Sequence, residues 1–232
     1  MTSPELDRLR AALGADAPLT WVVTGDSITH GLVHTCGERS YPEHLHELIR
    51  GELGRVRDIV VNSAISGHRI VQILDDFERR VSSWSPDVVT LMIGTNDCST
   101  AGVWPVIEPG EFAASITEFV TRVRGLGAVP VLQTPPSVDV AAAPERARIS
   151  AFAEAIREVA AREDVLLADQ SALFDEEGGG GVPWGLMNDP FHPNAAGHAA
   201  LALGLARALG VAPAASRTLP LLTARVAAAR IV

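Results

Sequence analysis

Short apolar runs alternate along the chain with longer stretches in which apolar residues return every three or four positions. The runs at residues 21–24, 59–62, 88–93, 129–132 and 165–167 are near-continuously apolar and rich in β-branched side chains. Such runs predict parallel strands covered on both faces. Between them, residues 41–53 carry Leu45, Leu48, Ile49 and Leu53, and residues 70–81 carry Ile70, Ile73, Leu74, Phe77 and Val81. That spacing predicts amphipathic helices, and it repeats over 112–123 and 149–160. A last helix is expected over about 194–209, with Pro193 before it and Gly210 after it. Strand-helix-strand alternation implies right-handed crossovers and an α/β fold, a three-layer α/β/α sandwich with five parallel strands.

Two stretches fall outside this pattern. Residues 175–181 read Asp-Glu-Glu-Gly-Gly-Gly-Gly and predict a mobile surface loop, with a lid as the sharper alternative. Residues 213–232 form an apolar, Arg-dotted tail. It is expected to pack on its own chain, with a subunit interface, and hence a homo-oligomer, as the alternative. Residues 1–212 then make one catalytic-sized domain. No internal repeat is visible.

Composition narrows the function classes. The chain has 232 residues and a net charge of −9, which argues against nucleic acid or an anionic membrane as the main partner. Every basic residue is Arg. Two cysteines, Cys36 and Cys98, are too few for a disulfide framework and read as free thiols. The N-terminus lacks a basic region followed by an apolar run, and no stretch is apolar enough to span a membrane. A cytoplasmic protein is the expectation.

In open parallel sheets, functional groups gather at the carboxyl ends of the strands. That rule brings Gly25 to Ser27, Ser63 to Gly67, Gly94 to Asp97 and Gln133 to Ser137 to one rim. Asp189 and His192 lie three residues apart between prolines, a spacing that lets the carboxylate hold one imidazole nitrogen and leave the other free as a base. Ser27 follows a strand on the same rim, where a base would activate its hydroxyl; alone, it could simply cap the next helix. Asn96 and Gly67 offer uncharged donors for an oxyanion, or serve as turn residues. The weaker candidates are His30 and His34, spaced for one helical face, His44 and His46, and His198; all read as solvated or packed side chains, since no carboxylate or Cys cluster completes a metal site. Asp26 and Asp97 are expected to hold local backbone. Trp104, Trp184 and Phe191 either line a pocket or belong to the core.

Taken in order, Gly25-Asp26-Ser27-Ile28-Thr29, Gly67, Gly94-Thr95-Asn96-Asp97 and Asp189-Pro190-Phe191-His192-Pro193 resemble the blocks of the SGNH hydrolases, also called the GDSL family. The resemblance covers roughly residues 21–209. It implies a flavodoxin-like sheet, Ser27 as nucleophile, His192 as base and Asp189 as its orienter. It also implies an oxyanion hole of the Ser27 N–H, the Gly67 N–H and the Asn96 side chain, with no metal and no cofactor. The family pattern usually has Leu where this chain has Ile28, a conservative change. His68-Arg69 after Gly67 either touches substrate or opens a helix. The expected activity is hydrolysis of a small short-acyl or O-acetyl ester through an acyl-enzyme. An acyltransferase would use the same residues with an alcohol acceptor, and a non-catalytic binding module would be the reading if the pocket were inert.

Overall fold

The computed structural model describes residues 4–213 and 215–230. Five parallel strands form one sheet: β1 Thr20–Gly25, β2 Ile59–Asn62, β3 Val88–Met92, β4 Val129–Gln133 and β5 Leu166–Ala168. Their spatial order is β2-β1-β3-β4-β5, the flavodoxin-like doubly wound order. The register pairs Val22 with Val61 on one side and with Val89 on the other. The three inner strands are almost wholly buried, which is why their sequences show no polar alternation.

Alternate residues of each strand feed two separate cores. Trp21, Val23, Val88, Met92, Val129 and Val131 point into a cluster closed by α1 (Pro4–Gly14), α3 (Tyr41–His46), α8 (Gln170–Gly178), α9 (Ala195–Leu209) and α10 (Thr218–Ala229). Val22, Val89, Leu91 and Leu132 point the other way. There they meet α4 (Ile70–Asp75), α5 (Phe77–Arg80), α6 (Pro109–Gly125) and α7 (Ile149–Glu163). The sandwich therefore has three layers, as the periodicity implies. Among the described residues no helix is long and apolar enough to cross a membrane.

Local chemistry explains most boundaries. Ser40 opens α3 in a capping box, its N–H and Oγ both donating to the Glu43 carboxylate at 2.7 Å. Asn194 caps α9 by accepting from the N–H groups of Ala196 and Gly197, and Gly210 ends it in the left-handed conformation.

Some expectations need correcting. The helix expected over 41–53 continues from α3 as a π-helix over Glu47–Glu52. The helix expected over 70–81 is two short ones broken at Asp76. Residues 175–178 belong to α8 rather than to a loop, and only the glycines after them turn away. The tail holds a helix, α10, whose Leu222 and Val226 are buried against α9 and the rest of the first cluster. Cys36 is exposed, Cys98 is buried, and both are free thiols.

Candidate active site

The chain runs from β1 to β2 on one side, then crosses to β3 on the other, so a crevice opens at the carboxyl ends of β1 and β3. Such a switch point is where open α/β sheets bind ligands. Ser27 follows β1 directly and Asn96 follows β3.

The turn that presents Ser27 is tightly determined. A Cβ on Gly25 would lie 2.2 Å from the Met92 carbonyl oxygen and 2.5 Å from Thr29 Oγ1, so only glycine fits there. Asp26 then caps the short helix α2, Ser27–His30, its Oδ1 accepting from the Ile28 N–H at 3.0 Å. The cap that Ser27 alone could have been is thus supplied by its neighbour. Ser27 is left with its hydroxyl 2.9 Å from His192 Nε2.

His192 is held from the other side. Its Nδ1 lies 2.8 Å from Asp189 Oδ2, and Asp189 Oδ1 accepts from the backbone N–H groups of Phe191 and His192. The loop is pinned by Asn194, whose amide donates to the carbonyls of Gly185 and Met187. The Asp189 carboxyl is held below its ordinary value: burial opposes this, but the two backbone N–H groups and His192 outweigh it. The His192 imidazole is shifted down, because burial outweighs the pull of Asp189. Hydroxyl, imidazole and carboxylate therefore lie in line, with the imidazole biased toward its neutral, proton-accepting form.

Gly67 and Asn96 sit on adjacent loops. Gly67 has φ +79° and nothing crowds its α-carbon. The next carbonyl, that of His68, accepts from Asn96 Nδ2 at 3.1 Å. One amide hydrogen of Asn96 thus fastens the loop after β3 to the loop after β2, and the other remains to donate.

Asp97 meets its own backbone N–H, as expected of a turn residue, and reaches further. Its Oδ1 accepts from the Ile70 N–H at 2.8 Å and ties the loop after β3 to the start of α4. Arg69 precedes α4 and donates to the Pro105 carbonyl, while His68 Nδ1 faces the Arg80 guanidinium at 3.1 Å. Asp26 and Asp97 are both fully buried and pushed up to about 7 by burial.

The remaining histidines separate. His30 ends α2 and bonds Ser66 Oγ, and left-handed Gly31 stops the helix, so His30 and His34 do not share a helical face. His46 meets Arg50. His44 is buried on α3, and burial pushes it down to about 4. His198 is buried on α9, accepts the Tyr41 N–H at Nδ1, and is pushed down to about 3 by burial. Trp104 and Trp184 are about half exposed, at 53% and 52%, and so are not core; Phe191 packs beneath Arg146, whose guanidinium carbon lies 3.6 Å from its ring centroid.

Two residues take places at the site that the sequence did not assign them. Arg80 is buried and donates to the carbonyls of Gly25 and Ser63 and to Thr24 Oγ1, stitching the ends of β1 and β2 together. In the sequence it is only an Arg in an amphipathic stretch. His34 stacks on His192, and together with Asp189 the two histidines bring three possible metal-ligand atoms within 4.8 Å of one another. The carboxylate that the sequence reading found missing beside His34 thus comes from Asp189. The two rings are only 9° from parallel, so their in-plane lone pairs run side by side rather than converging on one ion. This cluster fits a proton network better than a cation cage.

The sequence profile of the GDSL-like Lipase/Acylhydrolase family matches residues 23–200, a span that contains all of these groups. An acetylxylan esterase of Geobacillus stearothermophilus is 29% identical over 203 residues, covering 80% of this chain and 91% of that protein. A shorter match, 39% identical over 89 residues, covers 37% of this chain and only 10% of an uncharacterized protein of Mycoplasma pneumoniae. Among solved structures, LAE5, an alpha/beta hydrolase enzyme from the metagenome of Lake Arreo, Spain, superimposes with a TM-score of 0.71 at 26% identity, over 85% of this chain and 99% of that one. Axe2, an acetylxylan esterase of Geobacillus stearothermophilus, gives 0.69 at 25% identity, over 83% and 94%. Catalytic mutants of Axe2 replace a serine, an aspartate and a histidine, the last two three positions apart. Fold and family define the class, a carboxylic ester hydrolase on a doubly wound parallel sheet. The chain belongs to the GDSL-like Lipase/Acylhydrolase family, the SGNH hydrolases.

Proposed function

We propose that the chain hydrolyses a small short-acyl or O-acetyl ester through an acyl-enzyme on Ser27. The observation that carries this is the line of atoms from Ser27 Oγ to His192 Nε2, 2.9 Å, and from His192 Nδ1 to Asp189 Oδ2, 2.8 Å. His192 takes the Ser27 proton as the oxygen attacks the ester carbonyl. Asp189 keeps the imidazole in the right tautomer and stabilises the imidazolium that forms. The Ser27 N–H, the Gly67 N–H and the free amide hydrogen of Asn96 receive the tetrahedral oxyanion. The alcohol leaves with the proton from His192, and water then cleaves the acyl-Ser27 bond by the same route in reverse. A short acyl group is favoured by the likeness to the Geobacillus stearothermophilus proteins, which are acetylxylan esterases.

The test is covalent capture. A p-nitrophenyl organophosphonate should label the folded protein once, on Ser27, and Ser27→Ala should abolish both labelling and turnover of p-nitrophenyl acetate. Labelling that persists in Ser27→Ala would remove Ser27 from the mechanism. A panel of p-nitrophenyl esters graded by acyl length, followed by acetylated xylo-oligosaccharides, should show kcat/KM highest for acetyl.

A further inference from the structure

We propose that His34 is a positioning residue for His192: its ring backs the imidazole of the base, and its Nδ1 competes for the same carboxylate oxygen. This rests on the Ser27–His192–Asp189 reading above.

The two imidazole rings are stacked, with centroids 3.6 Å apart and planes 9° from parallel. His34 Nδ1 lies 3.4 Å from Asp189 Oδ2, the oxygen that also receives His192 Nδ1 at 2.8 Å. Asn188 Nδ2 lies 3.2 Å from the same His34 nitrogen. When the Asn188 amide donates to it, His34 is neutral and leaves Asp189 to His192. A proton on His34 Nδ1 ends that bond and turns the new N–H toward Asp189 Oδ2. Asp189 then divides its charge between two imidazoles, and the base loses both its orienter and its affinity for a proton.

The segment that carries His34 is built to hold it there. Val33 and Cys36 have φ of +70° and +53°, a conformation that a β-branched residue adopts only when its surroundings impose it. Turn bonds from the His34 N–H to the Leu32 carbonyl and from the Cys36 N–H to the Val33 carbonyl close the loop. Arg225 on α10 holds its far end through Glu38, at 3.0 Å.

The surroundings of His192 hold down its affinity for a proton. Arg146 lies over Phe191 from the turn before α7, and His198 comes from α9. The first is a cation and the second becomes one only on protonation, and among the described residues Asp189 is the anion in contact with both rings. Charge on His34 disfavours charge on His192, which lowers the affinity of His192 for a proton.

Two variants separate stacking from titration. His34→Phe keeps a flat ring and has no Nδ1; His34→Ala keeps neither. With p-nitrophenyl acetate, His34→Ala should lower plateau kcat about tenfold with KM within twofold, less than the roughly 100-fold expected for a 1 Å misplacement. His34→Phe should restore kcat to within about threefold of the parent. In both, the acid limb of kcat/KM should move to higher pH, because His192 no longer shares Asp189 or faces a second cation. Profiles that coincide with the parent in limb and plateau would overturn the proposal, as would a loss confined to KM. Phosphonate capture at Ser27 of the parent, run alongside, keeps the two readings apart. Normal capture with unmoved His34 profiles sinks only the role of His34; no capture sinks the triad itself.

Discussion

Asp26 and Ser27 divide work that one serine would otherwise have to do at the start of α2. The carboxylate takes the Ile28 N–H, and the hydroxyl keeps its proton for His192 Nε2. In the proposed mechanism Asn96 divides its own work in the same way, with one amide hydrogen on the His68 carbonyl and the other free for the oxyanion. Asn96→Ala should therefore lower kcat with p-nitrophenyl acetate by roughly 100- to 1,000-fold while KM changes little. An unchanged kcat would take Asn96 out of the oxyanion hole. At this scale the sequence was most legible where one block carries both partners. Asp189 and His192 are three residues apart, and their bond follows from that spacing. His34 was not legible, because its place depends on a left-handed stop at Gly31 and a turn at Val33. No side-chain pattern announces that turn.

The three inner strands were legible as elements because each is an apolar run buried on two faces, whereas the edge strand β2 is a β-branched run left partly exposed. The helix α10 was not, for a physical reason. Arg217, at the N-cap, makes no side-chain cap; Ser216 Oγ accepts the Leu219 N–H at 3.0 Å, but the two N–H groups before it are taken by a residue far away in sequence. Glu52 accepts from Arg217 N at 2.9 Å and Thr218 N at 2.7 Å. Its apolar face is also narrow, since Leu222 and Val226 are buried while Leu221 is exposed. The break between α4 and α5 at Asp76 likewise has no Gly or Pro to mark it. If α10 is a full partner of α9, Leu222→Ala should cost about 2–5 kcal/mol in a urea titration. Turnover at 25 °C should stay within twofold of the parent. A variant with the parent's urea midpoint would show that α10 contributes nothing to the core.

Across the whole molecule, buried titratable groups tilt stability in opposite directions with pH. His44 and His198, pushed down to about 4 and about 3, stay neutral in the fold while the unfolded chain protonates them below about 6.5. Their contribution is complete above that pH and is lost as pH falls. Asp26 and Asp97, pushed up to about 7, keep their protons in the fold where the unfolded chain has released them. Theirs is complete below about pH 4 and is lost as pH rises through 7. Each leaves its second oxygen buried without a hydrogen-bond partner among the described residues, as a protonated acid tolerates better than an anion. Asp97→Asn removes one of these groups and keeps an acceptor for the Ile70 N–H. Its stability relative to the parent should rise by about 1.4 kcal/mol per pH unit between pH 5 and 6.5. Thermal melts at three pH values measure this; curves that stay parallel would mean that Asp97 is ionised in the fold.

Ser27 and His192 are 165 residues apart in the chain. Contacts of such long range close late, after the local helices and the strand pairs that flank them. During synthesis the serine leaves the ribosome as an ordinary alcohol, before the histidine proposed as its base has been made. On the proposed triad, reactivity waits for the loop before α9 to reach the end of β1, and a misfolded copy in which it does not do so carries an inert hydroxyl rather than an unguarded nucleophile.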